Sequence, residues 1–461
     1  MKLSALLGPD LKAVLREDPE QVRELMTELH AEDVADIVVD LEPDLAAAFL
    51  AFLPAEEAAE IFERLEDHER ESLVQIMPSD AVVNIASEMA ADERADLFSA
   101  LPDTVGKELL KQLERVDPGA AEEVREIEKW PETSAGHLMT TAYVHVLPSA
   151  TVREAVAAVR AHAADHDEAV YNVYVHGPEE RLLGIVSLST LLLSGPDEPL
   201  SGMMRSNVIS VPPDMDQEEV AKRMAKYDLN VMPVVDATGL ILGVITIDDI
   251  VDVLTQEQTE DVQKLGAVEP LDVPYFQTPF LQFIKKRGVW LVVLFVGEFF
   301  TQTALRHYDG VFKAIEGASY YVPLLISAGG NSGSQSSTLV IRGMAVGEIR
   351  LRDFGRILLR ELGMGFVLGL GLGTIGFLRV RMSGDTDAFA LTVAATLIGI
   401  VMAGCTVGAI LPMILKRIGL DPATSSTPFI ASLVDVLGIV IFVYVAKFIM
   451  AGVIAQAGVH V

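Results

Sequence analysis

Asp435 and Glu298 are carboxylates set inside apolar runs of this chain. Asp435 lies in Ala431-Ser-Leu-Val-Asp435-Val-Leu-Gly438, and Glu298 follows Leu291-Val-Val-Leu-Phe-Val-Gly297. A carboxylate at membrane depth costs at least ~2.5 to 3.5 kcal/mol on insertion scales unless it is paired or hydrated. Lys447, twelve residues beyond Asp435, is long enough to reach outward to the interface. Asp435 therefore has no evident basic partner, and the chemistry it offers is that of a cation pathway. Glu298 stays open between pathway and structural roles, because Thr301, Gln302 and Thr303 follow it as hydrogen-bonding neighbours. A third feature is Gly329-Gly-Asn331-Ser-Gly-Ser-Gln335-Ser-Ser-Thr338, a polar, glycine-rich stretch in an apolar surrounding. Such a segment is tolerated at membrane depth only against protein or a water-filled cavity, which favours a pathway lining. A further acidic run follows Thr246. Read as a helix, it places Glu257, Glu260 and Asp261 on one face, where like charges cost ~0.2 to 0.5 kcal/mol per pair. Divalent cations bridging that face to other acidic helices would turn the repulsion into attraction.

The elements that position these residues divide the chain by composition. The 461 residues carry a formal charge of −31, yet mean hydropathy is +0.36. Both properties hold only if they belong to different parts of the chain. Residues 1–284 carry 56 acidic and 20 basic side chains, net −36, while 285–461 carry 10 and 15, net +5. That field attracts cations and argues against nucleic acid as a partner. The single cysteine, Cys405, excludes an intrachain disulfide, and Met1 to Asp10 lacks the pattern of a signal peptide, so the soluble part is expected in the cytosol.

Five apolar stretches, about 288–306, 319–341, 357–378, 388–415 and 427–450, each approach the roughly 20 residues a membrane helix needs. Lys285, Lys286 and Arg287, then Arg342, Arg350, Arg352 and Arg356, then Lys416 and Arg417 mark one side. By the positive-inside rule the N-terminus is cytoplasmic and the tail from Ala451 to Val461 is outside. Gly365, Gly369 and Gly373 recur every four residues, the spacing of a helix-packing face.

Two repeats organise the soluble part. Pro54, Pro78 and Pro102 are 24 residues apart, and His30 continues the register backward. Proline suits the first turn of a helix, so each unit reads as a pair of short helices stacked in a superhelix over 1–130. After Trp130-Pro131, the segment from His137 through Pro148 to Glu154 recurs as Met203 through Pro213 to Glu219. Both copies continue through an amphipathic helix into Val170–Val175 or Val231–Asp236, then Leu183-Gly184-Ile-Val-Ser187 or Leu242-Gly243-Val-Ile-Thr246. This strand, helix, strand, strand, helix unit resembles a tandem cystathionine-β-synthase (CBS) pair, which implies an adenine-nucleotide site. In such pairs a Ser or Thr and an Asp three residues on hold phosphate and ribose, as Thr246 and Asp249 would here. The first copy has Ser187-Leu-Ser-Thr190, with Thr where Asp is expected, so one nucleotide per chain is anticipated.

The order of these parts resembles the MgtE family of magnesium channels and transporters. Gly329 to Ser336, Pro412, Asp421-Pro-Ala423, the turn Pro422-Ala-Thr-Ser-Ser-Thr-Pro428 and the run to Asp435 carry the likeness. The resemblance implies a multidomain membrane protein: an all-α superhelical N-terminal domain (1–130), an α/β tandem CBS pair (131–249), an acidic, plug-like connecting helix (250–284) and an α-helical transmembrane domain of five spans (285–461). It also implies a homodimer in the inner or plasma membrane, in contact with lipid. The pore would lie at the subunit interface, with Asp435 and Asn331 toward a largely hydrated Mg²⁺, which suits an ion that dehydrates reluctantly. Cytosolic Mg²⁺ would collect among Asp92, Asp96, Asp214, Asp248, Asp249, Asp252, Glu257, Glu260 and Asp261 and close the pore. No Walker-type phosphate loop is present, so ATP reads as a regulator and the chain is not read as an enzyme. Transport of Co²⁺ or Mn²⁺, and a membrane-anchored nucleotide sensor without conduction, are the competing readings.

Overall fold

The computed structural model describes residues 29–165, 170–271, 273–424 and 427–457. The first 28 residues of the expected repeat domain and the last four of the tail lie outside them. The chain forms two compact units, Met1–Thr255 and Gln256–Val461.

The first unit opens with four helix pairs. They are α1 (Ala31–Val39) and α2 (Pro43–Phe52), α3 (Ala55–Phe62) and α4 (Asp67–Val74), α5 (Ser79–Glu88) and α6 (Ala91–Ala100), α7 (Asp103–Val116) and α8 (Pro118–Ile127). Odd-numbered helices stack on one another and even-numbered ones do the same, which makes two layers around a core containing Phe49, Leu50, Phe62, Leu97 and Leu113. Pro54, Pro78 and Pro102 precede α3, α5 and α7 as N-cap residues, one position ahead of the first turn. Pro43 and Pro118 do occupy it. The 24-residue period also governs a polar staple. Arg70 Nε donates to the carbonyl of Phe62 at 3.1 Å, and Arg94 Nε to that of Ala86 at 2.6 Å. Both arginines are only 5% exposed and donate to carbonyls of α3 and α5 near or at their C-terminal ends, where helices run short of backbone donors.

The CBS pair follows. Its first copy is β1 (His145–Val146), α9 (Val152–Asp165), β2 (Asn172–His176), β3 (Leu182–Ser187) and α10 (Leu188–Leu193); β2 pairs parallel with β1 and antiparallel with β3. The second copy has α11 (Gln217–Tyr227), then β4 (Val231–Val235) antiparallel to β5 (Ile241–Thr246), then α12 (Ile247–Leu265). Its expected leading strand shrinks to one parallel bridge, Val211 to Val234. The two leading segments cross between copies: Thr140 bridges Val244, and Arg205 bridges Ile185. A Cβ at Gly243 would stand 2.5 Å from the Thr140 carbonyl, and one at Gly184 2.9 Å from that of Arg205. Both Leu-Gly motifs are thereby explained by backbone crossing.

In the second unit, α12 ends where Ala267 adopts a left-handed φ of 57°. Helices α13 (Phe280–His307), α14 (Asp309–Ala314), α15 (Ala318–Ala345), α16 (Phe354–Met382), α17 (Asp387–Arg417), α18 (Thr427–Ile449) and α19 (Ala451–Gln456) follow. Among the described residues four helical segments are long and apolar enough to cross a membrane: α13, the stretch Leu351–Met382 that ends in α16, α17 and α18. The expected span 319–341 falls in α15, which has the length at 28 residues but carries the polar Asn331–Thr338 stretch. It does not count among the apolar spans, and five spans are not confirmed.

Glycine determines how these helices meet. Cβ atoms at Gly365 and Gly369 would lie 2.8 Å from the Cα atoms of Met402 and Ile398, and one at Gly373 2.9 Å from the Ala394 carbonyl. The glycine ladder of α16 is thus the packing face expected of it, seated on α17. On the other side of α17, Gly404 and Gly408 lie directly under the carbonyls of Gly329 and Gly333 of α15. Gly371 faces open space. Gly408→Ala is expected to destabilise by about 1–3 kcal/mol, the usual cost of overpacking, and to lower the melting temperature of the solubilised protein, while Gly371→Ala leaves it unchanged. Equal melting temperatures would show that the α15–α17 contact is looser than described.

Candidate functional site

The first unit gathers acidic side chains from separate helices into one seam. Glu93 of α6 pairs with Arg70 at 2.6 Å, yet burial outweighs the arginine and, with Asp96 and Glu63 adding repulsion, pushes its carboxyl up to about 7. Asp249, at the start of α12, is also pushed up to about 7, chiefly by burial. The hydrogen bond from Thr246 works against that shift, and the charges of Asp248 and Glu93 add to it. Burial likewise raises Asp252, with Asp248 and Glu66 reinforcing and Arg64 opposing. It raises Asp67 as well, where Arg70 opposes and Asp96 and Glu66 reinforce. Asp96 accepts a hydrogen bond from His137 at 2.9 Å; burial disfavours the imidazolium, but this bond and the Asp96 charge outweigh it and raise the histidine.

Of the residues anticipated as cation ligands, Asp96, Asp248, Asp249 and Asp252 thus share one electrostatic field, and Asp92 sits beside Glu93 on α6. Glu93, Glu63 and Asp67 belong to the same field and were not anticipated, since nothing local in the sequence marks a carboxylate for burial. Asp214 is exposed on the turn before α11. Glu257, Glu260 and Asp261 lie in the part of α12 that belongs to the second unit. There Lys264 Nζ stands 2.8 Å from Glu260 and 3.0 Å from Asp421, so an ammonium already offsets part of the charge on this face. Among the described residues no three His, Cys, Asp or Glu side chains converge as a metal cage. A cation in the seam would rely on one or two carboxylates and retained waters, the manner in which Mg²⁺ is usually held.

The anticipated nucleotide residues do meet. Thr246 Oγ1 donates to Asp249 at 2.7 Å and also contacts Asp248. In the first copy Ser187 meets Thr190 at 2.8 Å in the same place. Thr246 lines a cleft with Tyr143, His162, Tyr171 and Tyr174 whose free volume is about 20 Å³.

In the second unit, Glu298 Oε1 of α13 accepts from Ser432 Oγ of α18 at 3.1 Å. Ser432 and Asp435 are three residues apart and share a helix face, so Glu298 lies within reach of Asp435's charge. The donor comes from another helix, beyond what the neighbouring Thr301, Gln302 and Thr303 indicated. Beside them is an open groove of about 660 Å³ lined by residues including Phe295, Glu298, Pro428 and Ser432. Asn331 is exposed on α15. Its neighbour Gly330 abuts Ala431, and Gly329 abuts Val434, which sets Asn331 beside the stretch of α18 that carries the half-buried Asp435.

The seam has a defined pH response. A carboxyl whose folded pKa is raised binds more protons in the compact seam than in water, so compaction gains stability as pH falls through about 7 and loses it as pH rises. In divalent-free, full-length protein, amide exchange at Ala91–Ala100 and Ile247–Thr255, corrected for intrinsic rate, should slow between pH of about 8 and about 6. Mg²⁺ at the higher pH should give the same protection, and Asp249→Asn should diminish the pH effect. Exchange that quickens as pH falls would contradict the assignment.

Comparison with known proteins matches the same parts. The model of the divalent cation transporter family MgtE covers residues 322–445, that of the MgtE intracellular N domain 29–133, and the CBS domain 135–195 and 200–256. The magnesium transporter MgtE of Thermus thermophilus is 39% identical over 75% of this chain and 76% of its own length. That of Enterococcus faecalis is 29% identical over 72% of each. Among solved structures, the soluble part of a magnesium transporter aligns at TM-score 0.51 and 29% identity, over 55% of this chain and 97% of that one. The cytosolic domain of the Mg²⁺ channel MgtE in complex with ATP aligns at 0.50 and 33%, over 54% and 100%. With three family models in the expected order and a relative of this similarity along three quarters of its length, the chain belongs to the MgtE family of magnesium transporters.

Proposed function

We propose that this protein is a Mg²⁺-selective channel or transporter that admits magnesium down its electrochemical gradient and is closed by cytosolic Mg²⁺. The carrying observation is Asp435, a half-buried carboxylate on an apolar helix, with Glu298 and the polar face of α15 beside it. Two copies in a homodimer embedded in lipid would place two Asp435 carboxylates about one hydrated ion, while Asn331 accepts hydrogen bonds from its waters. In this reading α15 is a fifth span, admitted to the membrane because its polar face meets water, with the N-terminus cytoplasmic and the C-terminus outside. No fuel is required, since a divalent ion gains roughly 4.6 kcal/mol on entering against −100 mV.

Closure follows from the seam. A state that brings Asp92, Asp96, Asp248, Asp249 and Asp252 together is favoured by any cation that binds it more tightly than the separated state. Asp214, Glu257, Glu260 and Asp261 would add to the response, with Lys264 already serving Glu260. Nucleotide binding is supported by Thr246 and Asp249 and by the ATP complex of the related cytosolic domain. Because phosphate would enter a field of carboxylates, ATP would bind together with a cation and act as a modulator.

Patch recordings on the full-length protein test this reading. Asp435→Ala should reduce Mg²⁺ current or its selectivity over Co²⁺ and Mn²⁺ by about tenfold or more, the scale of about 1.4 kcal/mol lost at an ion site. Joint replacement of Asp92, Asp96 and Asp252 by Asn should leave the pore open at high internal Mg²⁺. Wild-type current through the Asp435 variant would overturn the pore assignment, and wild-type inhibition in the triple variant would overturn the gating one.

A further inference from the structure

Helix α15 is held by α17, α16 and α18, the last through Gly330 on Ala431 and Gly333 on Ile430, and is bare on its remaining face. Toward α17, Gly329 and Gly333 press on Gly404 and Gly408, and Ser332 Oγ donates to the Val401 carbonyl at 3.2 Å. Toward α16, Ser336 Oγ donates to Glu361 Oε2 at 2.6 Å. Both partners of that bond are buried, Ser336 at 3% and Glu361 at 5% exposure. The remaining face presents Ser327, Asn331, Gln335 and Thr338, all exposed, at intervals that align them along one stripe.

Glu361 is a costly residue to place there. A buried carboxylate among apolar helices demands compensation, and seating α16 on α17 is already accomplished by Gly365, Gly369 and Gly373. What the carboxyl group adds is an acceptor for a hydroxyl of α15, at 2.6 Å. Together with the glycine contacts to α17, this bond pins the rotation of the helix. At about 100° per residue, Ser336 held toward α16 turns Gln335 about 100° and Asn331 about 140° away from it.

We infer that Glu361 is a positioning residue for the ion path: through Ser336 it sets the rotation of α15 and so aims Asn331 and Gln335 at the aqueous pathway. The inference rests on the transport reading for what that pathway carries, but the rotation itself is measurable without transport.

The experiment uses the full-length protein in proteoliposomes with Cys405→Ser, which removes the sole, buried thiol. Asn331→Cys, Gln335→Cys and, on the buried side, Ser337→Cys are introduced singly and reacted with a membrane-impermeant methanethiosulfonate. With Glu361 present, positions 331 and 335 should react rapidly and position 337 should be protected. Glu361→Leu should slow position 331 and expose 337, each by about tenfold, the lower end of what removing a ligand-orienting partner costs. Glu361→Gln, whose amide oxygen still accepts from Ser336, should retain the parental pattern. Ser336→Ala leaves the carboxylate in place and should reproduce the Leu pattern, which covers the case in which the Leu variant does not fold. In flux measurements the preference for Mg²⁺ over Ca²⁺ should fall with Leu and Ala and survive with Gln. Unchanged labelling in Ser336→Ala, or unreactive positions 331 and 335 in the parent, would overturn the inference. A shifted pattern in a chain that carries no Mg²⁺ would uphold the positioning role and refute the transport reading, so the two failures are distinguishable.

Discussion

A carboxylate taken out of water must be given a proton, a hydrogen-bond donor or a cation, and this chain takes many of them at least partly out of water. Each is answered from a different source. Glu123 receives Arg94 at 2.7 Å, Glu260 and Asp421 share Lys264, Glu298 receives the Ser432 hydroxyl and Glu361 that of Ser336. The supply is shortest between α6 and the start of α12. Arg70 reaches Glu93 alone of that pair, while Asp249 has the Thr246 hydroxyl and amide, and both carboxyls are pushed up to about 7. Protons meet part of the deficit, and a divalent cation would meet it better.

The membrane half obeys the same constraint by different means. Its helices approach through glycine, so that the carbonyls of Gly329 and Gly333 rest on α17. Side-chain volume is thereby removed from the contact, and the polar atoms of α15 are free to do something other than pack. Ser332 and Ser336 spend their hydroxyls on α17 and α16, which leaves Asn331 and Gln335 on the opposite stripe. Asp435 stands on α18, nearer the level of Asn331 than that of Gln335. The acidic unit and the apolar unit thus pose one problem twice, how to satisfy carboxylates that have left water.

Much of this was legible in the sequence wherever the signal was local or periodic. The 24-residue repeat, the paired CBS pattern, the glycine ladder of α16 and the apolar helices all rest on spacing along one segment. The pairing of Thr246 with Asp249 was legible for the same reason, being a contact across three residues. What escaped depends on residues far apart in the chain: Arg70 with Glu93, Asp96 with His137, Lys264 with Asp421, Ser336 with Glu361 and Ser432 with Glu298. The arginine staples were within reach, because Arg70 and Arg94 also keep the 24-residue register. Helix α15 misleads an apolarity count for the reason that makes it interesting, since the residues that lower its hydropathy are those set against protein or the bare stripe.

Proton release on Mg²⁺ binding shows whether a divalent cation completes the charge balance of the seam between α6 and the start of α12. Calorimetry of Mg²⁺ binding to the full-length protein near pH 7, repeated in buffers of different ionisation enthalpy, counts the protons displaced. Carboxyls that are partly protonated at that pH must give up protons to admit the metal. The account predicts release near pH 7, diminishing well above it and abolished by joint substitution of Glu93→Gln and Asp249→Asn. Mg²⁺ binding that releases no protons at any pH near neutrality would contradict it.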